Sequence, residues 1–147
     1  MLPDILTKTE KRLAMVRHVA RLTRVPAADI LGPSRRHDVV RARWHAMTLI
    51  RAHFGDSYPK IARVFGRDHT TAMYGIASYL SPIPRLDYPN RRHRLGDVIG
   101  LGFWLGREQL AREAEKAIST DNALKHAARV ARRARGEPCF ADYHHAA

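Results

Sequence analysis

Through the first eighty positions, apolar residues recur at helical rather than strand spacing. Leu6, Leu13, Val16, Val19, Ala20 and Thr23 repeat near a period of 3.6, with Lys11, Arg12, Arg17, Arg21 and Arg24 between them. That pattern predicts a helix over residues 4–24, ended by Pro26. Ala27 to Leu31 reads as one or two helical turns stopped by Gly32-Pro33, and residues 33–38 form a basic loop. Asp38 is expected to cap a long helix over 39–54. Its core face would be Val39, Ala42, Ala46, Leu49, Ile50 and His53, with Arg43 and Arg51 projecting from the adjoining flank. After Gly55-Asp56 comes a short helix with Ser57 as cap, Pro59 in its first turn, an Ile61, Ala62, Phe65 face, and Gly66 at its C-cap position. Asp68 then caps another. Met73, Ile76, Ala77 and Leu80 would bury the tail of that helix and leave His69, Thr70, Thr71 and Tyr74 at its mouth.

Beyond Leu80 the pattern changes. Residues 81–90 hold three prolines, so 81–97 reads as a proline-rich, basic linker. A helix over 98–118 would carry Ile99, Phe103, Leu110 and Ala114 on one side, but Gly100, Gly102 and Gly106 weaken its first half and move its expected start toward Arg107. A last helix over 121–135 would pair Ala123, Leu124, Ala127, Ala128, Val130 and Ala131 with Arg129, Arg132, Arg133 and Arg135. The two make a helical extension over 98–135, and residues 136–147 read as a disordered tail. The expected fold class is all-α.

Charge narrows the possible partners. The chain has 147 residues and a formal charge of +12, and the excess is concentrated in one half: 14 basic against 6 acidic residues in 1–84, 12 against 8 in 85–147. Each Lys or Arg that neutralises a phosphate releases counterions, so such a domain should bind duplex DNA with steep salt dependence. The first 30 residues are interrupted by Lys8, Lys11, Arg12, Arg17 and Arg21, which leaves no signal-type apolar core, and no apolar run is long enough for a membrane span. The single Cys139 cannot form an internal disulfide, which fits a reducing cytoplasm. A cytoplasmic, nucleoid-associated location is expected, with no membrane partner.

Two short helices joined by a tight turn at Gly66 describe a helix-turn-helix. The helix starting at Asp68 would present open N–H groups and a positive dipole end to phosphate, and short polar side chains to base edges. The run Gly66-Arg67-Asp68-His69-Thr70-Thr71, joined upstream to Asp29-Ile30-Leu31, Arg35-Arg36, Val39, Arg41-Ala42-Arg43 and Ala46-Met47-Thr48-Leu49, resembles the C-terminal DNA-binding domain of the bacterial replication initiator DnaA. The resemblance covers about residues 10–80. It implies a Trp-repressor-like helical domain over residues 1–80, with a recognition helix in the major groove and a basic loop reaching the minor groove. Carried over by position, the resemblance implies base contacts by Arg35, Pro59, Asp68, His69 and Thr70, with Arg35 in the minor groove and Asp68 accepting from cytosine N4. It implies phosphate contacts by Arg43, Arg51, Arg67 and Thr71. Arg41-Ala42-Arg43-Trp44 stands where the family has R-P-R-Q, and Trp44 is expected to pack under the basic loop in preference to stacking on a sugar.

The function expected is sequence-specific binding of double-stranded DNA, regulating replication initiation or transcription at sites like the initiator's own box. No G-x-x-x-x-G-K-[ST] loop occurs, and 147 residues leave no room for the initiator's ATPase module, so a stand-alone reader is expected. Neither enzymatic activity nor a cofactor or metal is expected. Two alternatives stay open. A nucleic-acid enzyme could hold its site in residues 85–147, with Cys139, His144 and His145 as a metal cluster or Asp87, Asp97, Asp121 and Asp142 as carboxylate ligands, although neither set has a recognisable ligand spacing. A protein-interaction module could use residues 98–135 and treat the basic half as a tether. Residues 98–135 are also the expected surface for self-association or for a replication or transcription protein.

Overall fold

The first helix, α1 (Lys8–Thr23), opens on a reciprocal cap. The Glu10 amide donates to Thr7 Oγ1 at 3.2 Å while the Thr7 amide donates to the Glu10 carboxylate at 2.8 Å, so two otherwise unpaired donors are satisfied together. The computed structural model describes residues 2–80 and 103–136. The linker expected over 81–97, the residues Ile99, Gly100 and Gly102, and the tail after Gly136 lie outside the described residues, as does the Phe103 side chain. Among the described residues there are six helices and no strand.

Helix α2 (Ala27–Leu31) follows Pro26, and α3 (His37–Phe54) runs through the middle of the molecule. The α3 start differs from expectation. Arg36, not Asp38, is the cap residue, and no side chain bonds there. Asp38 sits inside the first turn, where its carboxylate meets the positive helix end and pairs with Arg36 at 2.9 Å. Val39, Ala42, Ala46, Met47, Thr48, Leu49, Ile50 and Ala52 are all buried, so α3 is enclosed on nearly every side. His53, expected in the core, is only half-buried, with its ring edge-on to Phe54 at 4.6 Å.

Helices α4 (Tyr58–Val64) and α5 (His69–Leu80) pack on each other, and α5 packs on α3. The α5 stripe is rotated from the expected one: Ala72, Gly75, Ile76 and Ala77 are buried, while Met73 and Leu80 are half-buried. Close approach of α3 is the cause. A Cβ on Gly75 would overlap the indole of Trp44, so the glycine lets the Trp44 ring lie against the α5 backbone. Trp44 therefore packs, as expected, but its neighbour is α5: it meets the Tyr74 ring edge-on at 5.9 Å.

The extension is one continuous helix, α6 (Phe103–Ala134), where the sequence suggested two. Asp121, at the expected start of the second helix, accepts from Arg17 Nη1 of α1 at 2.6 Å. Thr120 donates back to the Lys116 carbonyl at 3.0 Å and the helix runs on. From Leu110 onward it packs on α1 and α3, with Ala114 and Ala117 fully buried and Leu110 and Ile118 beside them. These small side chains let the helix axes approach closely. Polar contacts complete the seam. Asn122 accepts from the Ile5 amide at 3.0 Å and donates to the Pro3 carbonyl at 3.0 Å, while Lys125 Nζ reaches the Glu10 carboxylate at 2.9 Å. The apolar stripe expected on the last part of the helix is not buried: Leu124 is 58% and Val130 68% exposed, with Ala127, Ala128 and Ala131 open too. At 1.5 Å per residue, α6 spans ~48 Å and α1 only ~24 Å, so the end of α6 outruns the body it lies on.

Candidate nucleic-acid interface

The turn between α4 and α5 determines where the α5 mouth points. Ser57 Oγ accepts from the Lys60 amide at 3.4 Å and Pro59 sits in the first turn of α4, so that helix starts as its sequence suggests. At its end Gly66 takes φ +61, the left-handed conformation that a side chain would disfavour. The Arg67 amide donates to the Ala62 carbonyl at 2.9 Å and the Gly66 amide to the Arg63 carbonyl at 3.3 Å, the paired bonds of a Schellman ending. The chain thus turns through residues 65–68 and starts α5 at His69.

Asp68 caps α5 through one oxygen. Its Oδ1 accepts from the Thr71 amide at 2.8 Å, the Thr71 hydroxyl at 3.0 Å and the Thr70 hydroxyl at 2.5 Å. Those donors, Thr70 foremost, hold the carboxyl down at about 2, so Asp68 is an acceptor at any neutral pH. Asp68, His69 and Thr70 are exposed and Thr71 half-buried. The N-terminal turn of α5 is therefore a polar, solvent-facing end with charge-assisted order already in place.

The basic loop lies beside this mouth, and two arginines join them. Arg43 was expected to project toward phosphate. The structure turns it inward, only 4% exposed, with its guanidinium filling the space above the end of α2. Nε donates to the Ile30 carbonyl at 2.8 Å, and Nη2 points at the carbonyls of Gly32 at 2.8 Å, Ser34 at 3.0 Å and Asp29 at 3.2 Å. The carbonyls at the end of a helix carry partial negative charge, which suits a buried cation. Burial, and then the nearby Arg67, still pull the Arg43 guanidinium below its usual value. Arg67, half-buried, donates to the same Gly32 carbonyl at 3.1 Å. Arg35 and Arg36, farther along the loop, are exposed.

The remaining predicted residues cluster at the start of α4. Pro59 is exposed, and Arg51 lies over the Tyr58 ring at 4.6 Å while its Nη1 donates to the Asp56 carbonyl at 2.5 Å. The buried Asp56 carboxylate in turn takes two bonds from Arg12 of α1, at 2.9 and 3.3 Å. Neither the Arg12–Asp56 pair nor the inward role of Arg43 was visible in the sequence. For Arg43 the only hint was that Gly32-Pro33 leaves helix-end carbonyls next to it.

Of the residues weighed for a nuclease-type site, Asp121 is buried against Arg17, and Asp87, Asp97, Cys139, Asp142, His144 and His145 lie outside the described residues. Among the described residues no group of three or more His, Cys, Asp or Glu is placed to hold a metal ion. No described helix is long and apolar enough to cross a membrane.

Residues 14–78 match the family model described as the bacterial DnaA protein helix-turn-helix. The chain is 39% identical over 80 residues to the chromosomal replication initiator protein DnaA of Acinetobacter baumannii, an alignment covering 50% of this chain and 17% of that protein. The same figures hold for the initiator of Acinetobacter baylyi, and that of a Ruegeria species is 37% identical over 79 residues, covering 51% of this chain and 17% of its own length. The chain thus spans about a sixth of the length of the curated relatives it matches. No solved structure matches it significantly.

Proposed function

We propose that this chain, whose residues 14–78 match the bacterial DnaA helix-turn-helix model, reads specific duplex sequences and so regulates replication initiation or transcription. The observation that carries the proposal is the exposed, Asp68-ordered mouth of α5 lying beside the basic loop. In this reading α5 enters the major groove, where Asp68, His69 and Thr70 meet base edges and Pro59 touches the groove rim. Arg35 enters the neighbouring minor groove, and Arg51 and Thr71 lie on phosphates. The sites would be of the kind the replication initiator uses, and occupancy of such a site would compete with an initiator for it.

Selection from a random-duplex library tests this directly. The expected result is an enriched short motif, bound with affinity that falls steeply with salt. His69→Ala or Thr70→Ala should relax preference at one base pair, each by about 1–3 kcal/mol of discrimination. Arg35→Ala should weaken binding chiefly at sites with A·T-rich flanks. Equal binding to every duplex, or an unchanged motif in both α5 variants, would end the reading.

A further inference from the structure

The basic loop and the recognition helix come from different parts of the fold, yet a single carbonyl holds them in register. Gly32 O accepts from Arg43 Nη2 at 2.8 Å and from Arg67 Nη2 at 3.1 Å. Arg43 belongs to α3 and also fastens the carbonyls of Ile30, Ser34 and Asp29, the three positions that define the path from α2 into the loop. Arg67 belongs to the turn that starts α5. The backbone at Gly32 leaves little latitude, since a Cβ there would fall 2.9 Å from the Ala28 carbonyl. Two like charges at one acceptor repel, and they stay because helix-end carbonyls compensate them.

We propose that Arg43 and Arg67 are positioning residues: through Gly32 they lock the loop carrying Arg35 to the mouth of α5, and this lock, not phosphate neutralisation, is how they serve DNA recognition. The proposal rests on the DNA-reading function above. A minor-groove side chain on an unanchored loop would have to be ordered at each binding event, whereas an anchored one is pre-organised. The spacing between minor-groove and major-groove contacts is then set before DNA arrives. Selectivity for the A·T-rich flank depends on Arg43, a residue with almost no exposed surface.

Charge and geometry can be separated by Arg43→Lys, which keeps the charge but cannot span four carbonyls. A phosphate contact predicts that Arg43→Lys binds nearly as wild type and that its effect adds to that of Arg35→Ala. The lock predicts at least tenfold loss of discrimination between A·T-rich and G·C-rich flanks. It also predicts a non-additive double-mutant cycle, in which Arg43→Lys costs little once Arg35 is alanine. Hydrogen exchange without DNA gives a second readout. In Arg43→Lys and in Arg67→Lys the Gly32 amide, which donates to the Asp29 carbonyl at 3.1 Å at the entry to the loop, should exchange at least tenfold faster, while those of Ile61 and Ala62 are unchanged. An additive cycle, or a Gly32 amide as protected as in wild type, overturns the lock while leaving the DNA-reading function standing. Failure of the wild-type chain to select any duplex removes that function instead, and the exchange result still decides whether the loop is anchored.

Discussion

The mouth of α5 and the docked part of α6 are both rich in polar residues, and they use them in opposite ways. At the mouth, Asp68, His69 and Thr70 are exposed, and Asp68 is satisfied by residues two and three positions away. Along α6, Asp121 and Asn122 are buried, and Glu113, Asp121, Asn122 and Lys125 find partners more than sixty positions away, in α1, α3 and the segment before α1. Glu113 Oε1 receives two rings, His18 at 3.0 Å and His45 at 2.9 Å, and the His45 ring stacks on Tyr79 of α5 at 4.8 Å. Polarity by itself therefore does not say whether a helix face looks outward. The reach of its partners does.

The widest break in this comparison should come where the two regions share a foundation. Ile50 of α3 is fully buried in a core that both α5 and α6 join. Ile50→Ala should cost about 2–5 kcal/mol and lower one common transition in urea. Two separate transitions would mean that the regions fold independently. A smaller effect is expected at the α3–α5 crossing. Gly75→Ala drives a methyl into Trp44 and should cost roughly 1–3 kcal/mol, with much of it recovered when Trp44→Leu is added. Thermal melts of the single and double variants measure that recovery.

Acid should loosen the docked region before the mouth. Burial, against the opposing pull of Glu113, holds His45 below the ordinary imidazole value of 6.5, and burial lowers His53 as well. The unfolded chain then takes up these protons first, so their contribution is complete above about 6.5 and is lost as pH falls below it. Urea midpoints at pH 8 and pH 5.5 should show the decline, and His45→Gln should make it shallower. Asp68, held at about 2, does not titrate in that range, so the capped start of α5 should keep its amide protection there. The smallest effect belongs to the overhanging end of α6. Val130→Ala should leave the midpoint within about 0.5 kcal/mol of wild type, because that side chain is already 68% exposed.

Most of the helix-turn-helix was legible because its instructions are short-range. Ser57 with Pro59, Gly66 and Asp68 each specify a helix end within a few residues, and the elements they imply are present. Errors entered where a distant neighbour changed the outcome. Trp44 against Gly75 rotates α5, so that Ala72 is buried and Met73 only partly so. The path of the loop turns Arg43 inward, although its i, i+3, i+4 surroundings look like a solvent-facing flank. In α6, periodicity located Leu110 and Ala114 correctly. The apolar run from Ala123 onward misled because no described element extends far enough to cover it.

The seam between α1 and α6 joins residues far apart in the chain: Arg17 with Asp121, Glu10 with Lys125, Pro3 with His126. Closing loops of that length is slow compared with assembling neighbouring helices. On a ribosome, α1 to α5 can collapse around Met47 and Ile61 well before Lys125 has been synthesised. The exposed mouth of α5 would then be ready first, and α6 would fasten onto a finished scaffold.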